Sequence, residues 1–367
     1  MKVASSFWAL ALLAIGCTAA ESQGGLTLEK KLPVTFVQLS NVVELGDGRV
    51  AFADTRAKLF LAADLQSGKV DTIGTRVDSL IRNAPAEQYK FPGWVAHLAG
   101  DTVALVDFSG LRTTLWSESG KSLGVLPIVE VAGTAPVLVY DTVGNGYKVD
   151  YQTVIGGAEP GHPVRPDSVP VLRIALRTGK VDTVANLASP EYGDAVFGEQ
   201  TQQAAKIFSP NDFFGVLPNG TAWLARGRQN RVDWRASDGT WTRGQPREYA
   251  RVPVTQADRD RVLAQIREHG KQFGMPQNLP IQYPFADVKP PFDFALARPN
   301  GEVWLQRPRL EENAPLTYDV YSARGGWQRS VAFPAGASLA GFGPKGAVYA
   351  SLKESDGQRT VGRFKLR

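Results

Sequence analysis

Cysteine occurs once in the 367 residues, at Cys17, and histidine three times, at His97, His162 and His269. A single thiol excludes an intramolecular disulfide, so packing alone must hold the chain together. The chain contains no phosphate-binding loop or G-x-G-x-x-G dinucleotide fingerprint, the most readable signatures of nucleotide enzymes. Long apolar runs are scarce too. The one at residues 7–15, FWALALLAI, is too short to span a bilayer. Charge is nearly balanced, with 41 Lys and Arg against 36 Asp and Glu for a formal net charge of +5. That is too weak an imbalance over this length to point to nucleic acid.

The start of the chain reads as a processing segment rather than as part of a fold. Lys2 is a minimal basic region before the apolar run, which ends in Ala14-Ile15-Gly16-Cys17 and gives way to a polar stretch. This arrangement resembles a bacterial lipobox. The resemblance implies that residues 1–16 are a lipoprotein signal peptide, that Cys17 carries the lipid, and that residues 17–31 form a tether. Several acyl chains, at about 0.8 kcal/mol per buried CH₂, anchor stably. Thr18 after the cysteine resembles the sorting of other lipoproteins to the outer membrane, so the expected address is that membrane or a periplasm-facing surface.

What the rest of the chain has in quantity is turns. Residues 91–124 contain four short apolar or alternating runs separated by Ala99-Gly100-Asp101, Ser109-Gly110 and Ser119-Gly120-Lys121. Such runs predict antiparallel strands joined by tight turns, and four in succession make one propeller blade. The turn ahead of the second strand recurs six times, at Gly46-Asp47-Gly48, Ala99-Gly100-Asp101, Gly144-Asn145-Gly146, Pro218-Asn219-Gly220, Pro299-Asn300-Gly301 and Pro344-Lys345-Gly346. The repeat overrides the two domains that length alone suggests. It predicts an all-β, six-bladed β-propeller over residues 32–367, with units near 40–74, 91–127, 136–188, 208–250, 290–334 and 337–367. The last unit shows only three strands, so the apolar segment 32–39 is expected to supply its fourth and close the ring.

The second unit reads F-P-x-x-V-A, then G-D-x-V-x-x-V-D, then Ser-Gly-Lys, and the first unit matches its later half. These features resemble the NHL repeat, and the whole is similar to NHL- or TolB-like propeller lipoproteins of bacteria. The resemblance implies that Asp54 and Asp107, at the strand-end position, cap a neighbouring turn. The later units depart from the pattern, carrying Arg226 and Arg307 there. Some NHL-fold lyases hold zinc through histidines of several blades, but no two histidines here share a blade position. Lactonase-type propellers hold calcium with inner-strand carboxylates; Glu44 and Asp141 lie near such positions without matching acids in the other blades. No cofactor, metal ligand set or catalytic residue is assigned.

Two insertions interrupt the repeat. Residues 155–170 read as a Gly/Pro-rich surface loop. The second insertion, at about 254–291, holds the one convincing helix, with Thr255 as N-cap, Asp258 three residues on, and Val262, Leu263, Ile266 and Phe273 on one face. Just before it lies a basic, aromatic tract from which Arg226, Arg228, Arg231, Trp234, Arg235, Trp241 and Arg243 are the candidate binding residues. From Trp223 to Lys271 there are eleven Arg and Lys against six Asp and Glu. Arginine stacks on tryptophan and grips carboxylate or phosphate with two bonds. The expected function is therefore a non-enzymatic binding scaffold for a protein, glycan or other anionic partner. The alternative is a metal-dependent, lactonase-like hydrolase or lyase with its site at the central channel.

Overall fold

The computed structural model describes residues 23–79, 84–98, 100–109, 112–126, 139–150, 158–159, 162–163, 166–271, 274–276, 278–311 and 314–367. Cys17, the segment before it, and Phe273 lie outside them. Among the described residues, six antiparallel meanders carry most of the chain. The first runs through Val43–Glu44, Val50–Asp54, Leu59–Ala63 and Val70–Thr72. The second runs through Pro92–His97, Thr102–Asp107, Arg112–Ser117 and Ser122–Val125. The third contains Val139–Tyr140, Asn145–Val149, Ser168–Ala175 and Val181–Ala188. The fourth contains Phe213–Val216, Ala222–Arg226, Arg231–Arg235 and Trp241–Thr242. The fifth is Phe294–Ala297, Val303–Gln306, Thr317–Tyr321 and Trp327–Ala332, edged by Gln23–Gly24. The sixth is Ala337–Phe342, Ala347–Lys353 and Arg359–Leu366, completed by Leu26–Lys31.

Composition explains which strand lies where. Second and third strands are covered on both faces by neighbouring sheets, so they read as nearly continuous apolar runs mixing small and large side chains; VAFAD at Val50–Asp54 is buried throughout. Outermost strands such as Ser122–Val125 alternate between half-buried and exposed. The apolar clusters lie between successive sheets. Phe60, Trp116 and Leu105 join the first to the second, and Leu224 packs against Val171 and Val184 of the third. Trp223 and Trp234 face the fifth sheet's Val303 and Leu305, Trp304 and Tyr318 meet Val348 of the sixth, and Phe52 packs with Tyr349. Face-to-face meanders around one axis make this a β-propeller.

Each of the six turns between first and second strands carries a glycine at positive φ, from Gly100 at 72° to Gly144 at 97°. A side chain rarely adopts that backbone, which is why the repeat is visible in the sequence. In the third sheet that glycine is Gly144, and the strand already starts at Asn145. The loop expected at 155–170 includes a short pair, Ala158–Glu159 with His162–Pro163, and gives up its last residues to a strand beginning at Ser168. The closing strand also lies earlier than 32–39. Leu26–Lys31 pairs antiparallel with Arg359–Leu366, whereas the segment after it adds only separate bonds to that strand, such as Leu32 N to Val361 O at 2.9 Å and an isolated bridge between Phe36 and Arg359. Its sequence, LTLEKK, is half charged because it forms the outer edge, where charge suits solvent and discourages further pairing.

Two elements stand outside the repeat. A hairpin, Tyr192–Phe197 with Gln200–Ala205, follows the third sheet and takes Ile281–Gln282 as a third strand. Helix α1, Gln256–Lys271, occupies the insertion. Its cap is reciprocal. Asp258 N donates to Thr255 Oγ1 at 3.2 Å, and Thr255 N donates to Asp258 Oδ2 at 3.1 Å. Val262, Leu263 and Ile266 are only half-buried, so the helix is held less by its apolar face than by its base. There Asp258 meets Lys289 at 2.9 Å, both side chains 3% exposed. Burial alone would raise the Asp258 pKa, but Lys289, Thr255 and Arg261 outweigh it and hold the carboxyl well below the usual range. Among the described residues no helix is long and apolar enough to cross a membrane.

Candidate functional site

Strand alternation divides the arginine–tryptophan tract between two faces of the fourth sheet. Leu224 packs toward the third sheet, so Arg226, two residues on, shares that face. Across the pair, Arg231 lies opposite Arg226, and Asp233 opposite Leu224. Trp241, opposite Arg235, and Arg243 continue the same face. Together with Thr183 and Asn186 of the third sheet, Arg226, Arg231, Asp233, Trp241 and Arg243 line a cleft of about 450 Å³ between the two sheets. Four of the seven candidate residues thus converge.

The other three do not. Trp234 belongs to the core, 4% exposed beside Trp223, and its indole N–H donates to Ser322 O. It points to the fifth sheet because it is one residue out of phase with Asp233. Arg228 lies in the turn and donates to Ser189 O at 3.0 Å. Arg235 ends its strand, four residues from Arg231 and roughly 13 Å away at about 3.3 Å per residue.

Part of the tract's positive excess is neutralised by two acids outside the window, Asp212 and Asp319, and acids within it pair with further cations. Arg226 Nη1 lies 2.7 Å from Asp212, whose side chain is 2% exposed, and its Nε lies 3.5 Å from Asp233. Arg231 Nε donates to Asp233 at 2.9 Å. Arg247 reaches Asp319 of the fifth sheet at 2.9 Å, while Arg261 pairs with Asp258 and Lys271 with Glu268. In the cleft, this leaves Arg243 as the lining cation outside these pairs. Beside it stands Trp241, 38% exposed. The cleft therefore offers an aromatic face, one cation and a floor of fixed donors and acceptors.

A second cavity, about 200 Å³, is lined by residues from or beside the innermost strand of every sheet, including Asn41, His97, Tyr140, Pro218, Arg298 and Ala340. It marks the central channel. Asn41 is fixed there by two bonds with the Val95 backbone, and Arg298 donates to Glu302. His97 lies 3.0 Å from Glu118, and burial pushes the Tyr140 phenol up to about 12. Glu44 accepts from the Tyr349 hydroxyl instead. Asp141 is used up by its own turn, accepting from Val143 N, Asn145 N and the Tyr147 hydroxyl. Among the described residues no three His, Cys, Asp or Glu side chains come together as a metal site; the side chains of His162 and His269 are outside them.

No family model and no curated protein matches the chain. Solved structures do. A member of the DUF4221 family from Bacteroides vulgatus aligns over 95% of this chain and 99% of its own at 8% identity, with a TM-score of 0.50. A gluconolactonase from Xanthomonas campestris aligns over 93% of this chain and 89% of its own at 12% identity and a TM-score of 0.47. A streptogramin B lyase aligns over 93% and 98% at 12% identity and a TM-score of 0.45. At such identities the likeness concerns the fold alone.

Proposed function

We propose that this chain is a six-bladed propeller, exported and lipid-anchored at Cys17, that binds an acidic glycan in the cleft between the third and fourth sheets. The observation that carries the reading is the pairing of exposed Trp241 with Arg243 above a polar floor of Arg226, Arg231, Asp233 and Asn186. An indole face takes the C–H-rich side of a sugar ring by apolar contact. Paired arginines and aspartate present fixed donors and acceptors for hydroxyls, and Arg243 supplies the charge for a uronate or sulfate. Because the cleft's other two arginines, Arg226 and Arg231, are paired with aspartates, selectivity rests on this one cation rather than on a broad positive field.

The test is titration calorimetry with polygalacturonate and chondroitin sulfate oligosaccharides against a neutral glucan. Trp241→Ala should abolish binding, and Arg243→Gln should remove the preference for the acidic oligosaccharides and its salt dependence. Equal affinity of wild type for acidic and neutral oligosaccharides at low salt would overturn the reading. The anchor is tested apart from it: mass spectrometry of the membrane fraction should find diacylglycerol on a chain that begins at Cys17 and lose it in Cys17→Ala.

A competing class is a hydrolase or lyase acting at the central channel. It is favoured by the convergence of His97, Tyr140 and Arg298 there, and gluconolactonase and streptogramin lyase are names carried by solved neighbours. Among the described residues no three His, Cys, Asp or Glu side chains assemble a metal ligand set there. Lactone turnover by the purified chain that disappears in His97→Ala would replace the binding reading.

A further inference from the structure

The sequence predicts a tether over residues 17–31, but from Gln23 onward the chain already belongs to the sheets. Gln23 lies beside Ser330 on the outer edge of the fifth sheet, and Leu26 lies opposite Leu366 of the sixth. Five residues separate Gln23 from Cys17. Fully extended, those six steps at about 3.4 Å each span roughly 20 Å. A lipid on Cys17 therefore holds this side of the propeller within that distance of a bilayer. Which end of the ring turns toward the lipid is then decided by surface chemistry.

The chain enters at the end of the ring that carries the turns between first and second strands. In the sixth sheet Thr27, Lys365 and Ala347 form one cross-strand row, directly after the turn at Pro344–Gly346. Four exposed cations gather at this end. Lys345 stands in that turn, and Lys365 and Arg367 stand beside the entering chain. Arg324 stands in the fifth sheet's turn between third and fourth strands, which in a meander returns to the same end. Arg367 N donates to Gly25 O at 3.0 Å, and its Nε donates to Thr27 Oγ1 at 2.6 Å. Among the described residues, Arg324, Lys345 and Lys365 enter no ion pair. The acids close by are already engaged: Glu302 is held between Arg298 and Arg329, and Glu29 faces Arg363 at 3.6 Å. In the first two sheets the turn equivalent to that of Lys345 carries Asp47 and Asp101 instead. Positive charge at this end is thus concentrated where the chain enters.

We propose that this end of the fifth and sixth sheets is the membrane-facing surface of the propeller, docking on anionic phospholipid headgroups through Arg324, Lys345, Lys365 and Arg367. This docking presupposes the Cys17 anchor proposed above. The anchor supplies proximity and the cations supply orientation. Attraction of Lys and Arg to an anionic leaflet decays within a Debye length of about 8–10 Å, so only the end turned to the bilayer gains from it.

Because the Cys17 sulfur carries the lipid, an introduced cysteine is the one free thiol available for a fluorescent probe. The test places the probe on the lipidated full chain through Ala323→Cys, beside Arg324, or through Ser355→Cys, in the sixth sheet's turn at the opposite end. Both chains are reconstituted in vesicles that carry a spin-labelled headgroup quencher. With about 30% phosphatidylglycerol at low salt, the probe at position 323 should be quenched roughly twofold more than the probe at position 355. Replacing Arg324, Lys345, Lys365 and Arg367 by Gln should equalise the two, as should pure phosphatidylcholine or about 0.5 M salt. Equal quenching in phosphatidylglycerol vesicles, or a difference that survives the fourfold replacement, would overturn the proposal; flotation of the chain with both kinds of vesicle would show the anchor intact. A chain that floats with neither at about 0.5 M salt would remove the anchor, and the proposal with it.

Discussion

The first two sheets and the fourth and fifth solve one structural problem in opposite ways. In each, the second strand ends at a turn that must be tied to the preceding chain. In the first two, an aspartate does this by accepting backbone N–H bonds. Asp54 takes them from Val37, Gln38, Arg56 and Ala57, and Asp107 from Lys90, Phe91 and Ser109. In the fourth and fifth sheets the strand-end residue is arginine, and the anion moves to the neighbouring strand. Asp233 lies opposite Leu224 and Asp319 opposite Leu305, the same register, with Arg226 and Arg307 each two residues beyond the leucine. An aspartate cap is complete in itself. An arginine on a buried aspartate leaves a guanidinium edge at the surface, and the glycan cleft lies on a sheet built that way.

If the second arrangement is a charge cluster rather than a cap, its anion should be the costliest single atom group to remove. Asp319 is 5% exposed and accepts from Arg307, Arg247, Ser330 and the Trp327 indole. Asp319→Ala leaves two partly exposed guanidiniums, at 23% and 35%, and the buried Ser330 hydroxyl without their shared acceptor, so urea unfolding should show a loss of about 3 kcal/mol. Burial raises the carboxyl's pKa, but Arg307, Ser330 and Arg247 outweigh it and the net shift is downward. A depressed folded value means the stabilisation is present above the unfolded pKa of about 3.9 and is lost as pH falls through the folded one. Wild type should therefore lose this contribution only below about pH 4, and Asp319→Asn should lack that component.

The caps should cost less. Asp107→Ala leaves backbone donors of a turn without their acceptor, worth about 1–3 kcal/mol, with Asp54→Ala similar. Urea unfolding of both variants beside Asp319→Ala makes the comparison. A cap variant as damaging as Asp319→Ala would erase the distinction between the two designs.

How far this was legible depended on whether the signal was local. Positive-φ glycines, the aspartate caps and the Thr255–Asp258 box are each set by residues within a few positions, and their sequence signatures pointed to the right places. The burial of Trp234 was not anticipated, although alternation from Trp223 across one strand pair determines it. The partners of the arginines were not legible at all. Asp212 and Asp319 lie 14 and 12 residues from Arg226 and Arg307, and Arg247 reaches across 72 to Asp319. Charge counted along a window thus overstated the field, because neutralisation happens across sheets. The closing strand was missed for a related reason, since an edge strand carries solvent-facing charge instead of an apolar run.

The smallest expected effect is the sharpest test of the comparison. In a cap, anion and turn depend on one another, whereas in the charge cluster the cation is shared and replaceable. Arg226→Gln leaves Asp212 with the Ala188 and Gly227 N–H groups, and Asp233 with Arg231 and the Gly244 N–H. Arg307→Gln leaves Asp319 with Arg247, Ser330 and Trp327. Both arginines are partly open to solvent, at 26% and 35% side-chain exposure, which weakens their Coulomb contribution. Each variant should therefore lose only about 1 kcal/mol, well below Asp319→Ala. The double variant should lose close to the sum, because the two arginines share no carboxylate. Chemical denaturation of the two single variants and the double measures this directly. A loss in Arg307→Gln equal to that in Asp319→Ala would mean that Arg307 alone neutralises the aspartate, and the cluster would then be no more than a simple ion pair.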